Sequence, residues 1–241
     1  MAFLSRQEVA DALGCSLSWW KGKELVRTLV RAHIAVGLRA GLGAIWSQIG
    51  RDYCSIVSSS DGFGEDQAKQ SWRSAGGRAF VDFVRLAIGS TLRHEGLHVL
   101  RRGELGEARG VRGCLTLHAT RRCTGDSIGV WPENDLVVVD RPDGGAMTAV
   151  AVACCKTSLR ERVMQSLFWS LALRTNGGPK WVFVTLDAQH ELGTCAHPTK
   201  ARKLVEAYFD RTYVLNSSAA FCAAVVSFDQ LPHDLIQWRD E

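Results

Sequence analysis

Apolar positions along the chain recur first at helical spacing and later at strand spacing. Ser5 and Glu8 stand at capping-box distance ahead of Val9 and Leu13, which predicts a helix start. From Glu24 to about Ile49, Leu25, Leu29, Ile34, Leu38 and Ile45 form a helical stripe with basic residues between them. A turn is expected to interrupt it near Gly37–Gly43. Residues 58–77 hold Ser58-Ser-Ser-Asp-Gly-Phe-Gly64 and Ser74-Ala-Gly-Gly77 and read as a loop or hinge. Phe80, Val84, Ile88 and Leu92 then mark one face of a helix over Arg78–His94 that stops at Gly96.

Beyond Gly96 the pattern changes. Leu97–Leu100, Cys114–His118, Leu136–Val139 and Thr148–Ala153 are short runs rich in β-formers, separated by Gly, Asp and Arg. A helix is expected over Ser158–Leu173, a strand over Trp181–Leu186, a helix over Thr199–Asp210 and a short strand over Tyr213–Leu215. An apolar segment and a turn at Asp234–Arg239 close the chain. Helices alternating with strands after a β-meander predict an α/β protein with a mixed central β-sheet flanked by helices and an N-terminal helical region. With no visible repeat or linker, residues 1–241 read as one domain, about 1–70 a helical extension and about 74–241 a core.

Composition narrows the class. Hydrophobic residues make up 46% and charged residues 22% of the 241, which suits a globular chain and excludes a disordered one. The longest apolar runs, Leu136–Val139 and Ala219–Val226, are far short of the ~20 residues needed to span a bilayer. The first residues lack signal-peptide character, so a cytoplasmic protein is expected. The net charge of +4 permits a polyanionic partner without requiring one. The eight cysteines contain no C-x-x-C pair and are expected to be reduced, buried thiols.

The chemistry concentrates in one stretch, Pro132-Glu-Asn-Asp135-Leu-Val-Val-Val-Asp140 followed by Val150-Ala-Val-Ala-Cys154-Cys155-Lys156. Asp135 opens one apolar strand and Lys156 closes the next, which places a carboxylate and an ammonium together at a sheet edge. A hard divalent cation takes oxygen ligands such as Asp135. A neighbouring lysine can position an attacking water and offset charge on a phosphorane-like transition state. Directly after come Lys156-Thr-Ser-Leu-Arg160-Glu161-Arg162. Ser158 and Glu161 form a second capping box, and Leu159, Val163, Leu167 and Leu171 form an expected buried stripe. Arg160, Glu161 and Arg162 fall in the first turn, where arginine forks can each reach the O6 and N7 of a guanine and a carboxylate can accept from cytosine N4.

These residues resemble the core of type II restriction endonucleases of the CCGG family, within the PD-(D/E)XK nuclease superfamily, and the BsaWI-like group above all. The likeness is strong over Pro132–Trp169, with weaker similarity at Trp72–Leu92 and Trp181–Asp187. It implies that Asp135 binds Mg²⁺, that Lys156 is catalytic, and that Arg160, Glu161 and Arg162 read a CCGG-type core in double-stranded DNA. It also implies a homodimer on a palindromic site and a cognate DNA methyltransferase protecting the host. The sequence departs from the pattern at Cys154, which replaces the motif's second acid. Relatives that lack this acid supply it about 10–14 residues after the lysine, which here is Ser166 to Ser170. Asp82 is then the first candidate for a second carboxylate and Glu95 the next. Asp82 also reads as a surface ion-pair residue, with Arg78 at i−4 and Arg85 at i+3. Without such an acid the protein would be a catalytically silent DNA-binding relative.

A rival from another class is His94-Glu95-Gly96-Leu97-His98, which matches the H-E-x-x-H of zinc peptidases. That motif needs a continuous helix, and the stripe ending at Leu92 with Gly96 as a stop argues against one. Cys114, His118 and Cys123 could also hold zinc, although scattered residues of a β-meander are the plainer reading.

Overall fold

A computed structural model describes residues 22–37, 41–61, 64–107, 109–132, 134–142, 145–159, 162–175, 178–215 and 221–241. The capping box at Ser5 and Glu8 lies outside them. The chain divides into two compact units, Met1–Ala87 and Ile88–Glu241.

In the first unit, α1 (Gly22–Gly37) and α2 (Leu42–Asp61) flank the expected turn, and α3 (Glu65–His94) begins. Leu25, Leu29, Ile45 and Ile49 are buried as their spacing requires. The expected loop over 58–77 is instead helix on both sides of residues 62–64. Its glycines and serines were misleading, because here packing outweighs intrinsic propensity. Trp72 fills the space left by missing side chains: a Cβ on Gly50 would come within 3.0 Å of its indole, and one on Gly76 within 3.3 Å. Trp46, Tyr53, Phe80 and Phe83 continue this aromatic packing, with Trp46 edge-on to Phe80 at 5.2 Å.

The second unit takes the end of α3, which stops at His94, with Gly96 at φ +79 turning the chain into a strand. It is built on a six-stranded sheet in the order β1-β4-β5-β6-β7-β8. The strands are β1 (Leu97–Arg101), β4 (Leu136–Asp140), β5 (Thr148–Lys156), β6 (Lys180–Thr185), β7 (Arg211–Val214) and β8 (Val225–Ser227). The first three pair antiparallel and β5 through β8 run parallel, so the sheet is mixed as expected. A separate two-stranded ribbon joins β2 (Leu117–Thr120) to β3 (Ser127–Val130). Cys114 ends α4 (Arg109–Cys114) and does not start a strand.

One face of the large sheet, with Val137, Val139, Val152, Cys154, Trp181, Phe183 and Val214, packs on α5 (Arg162–Thr175) and α6 (Lys200–Tyr208) through Val163, Leu167, Val205 and Phe209. β4 is buried along Leu136–Val139 and β5 along Ala151–Cys155, the continuous apolar signature of strands covered on both faces. The C-terminal turn expected at Asp234–Arg239 is a helix, α7 (Leu231–Arg239). Leu171 departs from its expected place. It is 51% exposed and, with Met164 at 57% and Phe168 at 61%, forms an outward apolar row on α5 at i, i+4 and i+7. The described cysteines are all free, yet only Cys154 and Cys155 are fully buried, while Cys114, Cys123 and Cys195 are exposed.

Candidate active site

β4 and β5 align so that Leu136 faces Ala153, which brings Asp135 to the C-terminal end of β5. The Asp135 carboxylate accepts from two donors on that strand. Lys156 Nζ lies 2.7 Å from its Oδ2, and the Cys155 backbone N–H donates to the same oxygen at 2.8 Å. The two side chains are about four-fifths buried, with relative exposures of 20% and 21%. Burial works to lower the Lys156 ammonium, but the charge and hydrogen bond of Asp135 outweigh it and hold the group above its ordinary value. Lys156 is therefore a fixed cation here, suited to stabilising negative charge and unsuited to accepting a proton.

Cys154, at the position of the motif's second acid, is fully buried. Burial and the nearby Asp135 charge push its thiol up to about 12, with the Ser166 hydroxyl hydrogen-bonding it and Lys156 nearby working the other way. Ser166 is the first of the α5 positions at which the resemblance would place that acid. The two alternative places for a second carboxylate thus meet at one point, occupied here by a thiol and a hydroxyl.

For the divalent cation that the resemblance implies, Asp135 offers a carboxylate. Beside it Asn134 keeps a buried Oδ1 without a hydrogen-bond partner among the described residues. Mg²⁺ retains several waters and is commonly held by one or two carboxylates together with substrate phosphate. This sparse donor set fits that habit. No group of three or more His, Cys, Asp or Glu side chains suited to a metal occurs among the described residues.

The candidate second acids separate. Glu95 is exposed and sits just before β1, where Leu97 pairs with Asp140. That is the opposite end of β4 from Asp135, roughly 16 Å away at about 3.3 Å per strand residue, so antiparallel pairing removes Glu95 from the site. Asp82, in the first unit, is 8% exposed and not a surface residue, and accepts from Arg27 Nε at 3.4 Å.

Arg160 and Glu161 lie outside the described residues, and of Arg162 only the backbone is described, as the first residue of α5. The start of that helix has a feature that local spacing could not reveal. Leu159 N–H donates at 2.7 Å to the carboxylate of Glu191, a residue 32 positions away. Glu191 is held by a tight loop after β6, in which Asp187 (φ 48) accepts from Leu192 N–H at 3.2 Å. Burial raises the Asp187 carboxyl above its ordinary value. Ser158 and Leu159 are not helical, Glu161 of the expected capping box lies outside the described residues, and α5 is described from Arg162, with Val163 N–H bonding back to the Leu159 carbonyl.

The H-E-x-x-H string does not form a zinc site. His94 ends α3, Gly96 turns the chain and His98 belongs to β1 opposite Val139, so the imidazoles do not share a helix face. Cys114, His118 and Cys123 fall on α4, β2 and the ribbon tip respectively.

Residues 119–232 match the family described as BsaWI restriction endonuclease type 2. Among solved structures, a specific restriction endonuclease AgeI–DNA complex superposes with a TM-score of 0.67 at 20% identity, covering 97% of this chain and 91% of that one. A pre-specific restriction endonuclease BsaWI–DNA complex aligns with a TM-score of 0.48 at 16% identity, over 97% and 88% of the two chains. No curated protein sequence matches.

Proposed function

We propose that the chain is a type II site-specific deoxyribonuclease of the BsaWI-like kind, as the family match over residues 119–232 supports, and that it hydrolyses double-stranded DNA within a short palindrome with a CCGG-type core, using Mg²⁺. The observation that carries this reading is the Asp135 carboxylate bound by Lys156 Nζ and the Cys155 N–H at the end of the central strand. The Lys-Thr-Ser-Leu-Arg-Glu-Arg run begins at Lys156 itself, so the base-reading groups follow the reacting groups within six residues.

In this reading Asp135 holds the cation, with Asn134 Oδ1 beside it. Mg²⁺ supplies Lewis-acid charge at the scissile phosphate. Lys156 orients the attacking water and stabilises the charge that develops as the water oxygen bonds to phosphorus and a phosphate ester bond breaks. Arg160 and Arg162 each hold a guanine, and Glu161 keeps the two forks apart and accepts from cytosine.

A palindrome is read by a two-fold dimer. The outward row Met164, Phe168 and Leu171 supports a second copy as partner. Two helices whose first turns read halves of one four-base-pair core must leave the groove side by side, and packed helices lie about 8–10 Å apart. A cognate methyltransferase would protect the host's own sites. No helix among the described residues is long and apolar enough to cross a membrane.

The test is digestion of a plasmid of known sequence with Mg²⁺ and, separately, with EDTA, followed by mapping of the ends. Discrete fragments ending at CCGG-containing palindromes, only with Mg²⁺, are expected. Binding without cutting would mark a silent relative, and cutting unrelated to such palindromes would overturn the specificity.

A further inference from the structure

The β2–β3 ribbon has no evident role in the fold. Twelve consecutive residues, 118–129, are exposed, so almost nothing along its shaft contributes to a core. A two-stranded hairpin alone is marginally stable in water, and exposed strand edges invite unwanted pairing.

Its root, in contrast, is firmly built. Leu117, Val130 and Trp131 pack against the main core. Trp131 Nε1 donates to Thr116 Oγ1 at 2.7 Å, and the Arg112 guanidinium lies 4.8 Å from the centre of the Trp131 ring. A Cβ on Gly129 would come within 2.9 Å of Thr116, so that position admits only glycine without adjustment. The tip is closed by Arg121 N–H to Asp126 carbonyl at 2.9 Å and Gly125 N–H to Arg121 carbonyl at 2.8 Å, with Gly125 at φ +72.

The charge on this element is one-sided. Between Glu107 and Asp126 the sequence holds four arginines, 109, 112, 121 and 122, and no carboxylate. Arg121 and Arg122 are exposed at the tip, and neither forms an ion pair with a described residue.

The ribbon is also tied to the site. Only residues 131–134 separate β3 from Asp135, and Pro132 and Asn134 are buried. Five residues span at most about 17 Å, and each four-residue strand adds about 13 Å. A duplex presents a phosphate charge every ~1.7 Å of its axis. A ribbon rooted this close to the reacting phosphate therefore has many phosphates within reach.

We propose that the ribbon is a second DNA-contacting arm, which grips the sugar–phosphate backbone beside the cleaved core through Arg121 and Arg122. This rests on the nuclease reading above. The arm contributes affinity without sequence preference, in contrast to the base-reading role assigned to Arg160 and Arg162.

The experiment compares wild type with R121A/R122A and R121K/R122K by duplex titration from low to moderate salt, with and without CCGG, in Ca²⁺ to prevent cutting. For the alanine variant, affinity should fall equally on both duplexes. The dependence of log affinity on log salt should become shallower by about one per lost phosphate contact. The lysine variant should keep most of the slope. Unchanged affinity and slope in the alanine variant would overturn the arm while leaving the nuclease reading intact. Loss confined to the CCGG duplex would make the ribbon a base reader, and a changed oligomeric state in light scattering with DNA affinity retained would make it a contact between copies. Either result also overturns the proposal. A wild type that neither binds nor cuts DNA would instead remove the reading beneath it.

Discussion

The two sheets of this protein are made from similar local material and end in opposite environments. β4 and β5 are buried from Leu136 to Val139 and from Ala151 to Cys155, whereas β2 and β3 leave every residue from 118 to 129 in solvent. The large sheet is dictated from within: β4 and β5 have partners on both edges and side chains filling the space above and below. The ribbon is dictated only at its root. Burial thus explains why the site edge is rigid, and it leaves the ribbon to be explained by something outside the chain.

Substitutions can break or sharpen that contrast. The largest effect is expected at the edge itself. Lys156→Ala should abolish detectable cleavage, a loss of at least the ~10²–10³-fold typical of one transition-state donor, with DNA affinity within about tenfold. Asp135→Asn should lose Mg²⁺-dependent cutting. Ca²⁺ should support wild-type binding without cutting, as a poorer Lewis acid at the same oxygens. A timed plasmid digest reads the cutting and a duplex titration the binding, and cutting at the ordinary rate would remove either residue from the site.

Next comes the helix that starts at this edge. Arg160→Ala should cost about 1–3 kcal/mol per lost guanine contact, counted twice in a symmetric dimer, on a CCGG duplex alone. Equal losses on an unrelated duplex would sink its base-reading role. Within the core, Phe183→Ala should cost about 3–5 kcal/mol of stability by denaturant titration, since the ring is fully buried and touches Phe209. On the ribbon, Ile128→Ser should shift stability by no more than about 0.5 kcal/mol. A loss of several kcal/mol there would mean that the ribbon does belong to the folding core, and the contrast would collapse.

What could be read in advance follows the same division. Apolar runs at period two or as unbroken stretches marked β1 and β4 to β7 of the central sheet, while β8 read only as an apolar segment, and Asp135 and Lys156 were legible because each bounds such a run. The helical glycines at 76 and 77 were not, since only the Trp72 indole lying over Gly50 and Gly76 reveals why small residues sit there. Nor was Glu191, whose hold on Leu159 depends on a contact across 32 residues. Leu171 misled for a different reason. A strict four-residue spacing drifts around a helix of 3.6 residues per turn, and on α5 the buried line runs through Val163, Ser166, Leu167 and Ser170, which leaves Leu171 outside it.

The pairing of β4 with β5 slips between Val138 and Val139, where Val138 faces Ala151 and Val139 faces Ala149, leaving Val150 as an extra residue. That irregularity divides the hairpin into two mechanically separate stretches. The stretch toward Asp140 and Thr148 has its own alignment. The stretch from Leu136 to Val138 keeps the alignment that brings Asp135 to Lys156. Changes in length at the turn after Asp140 can therefore be absorbed at Val150 before they reach the reacting groups. The hairpin offers a surface position where the chain can be lengthened, or a label inserted, while the chemistry downstream stays in step.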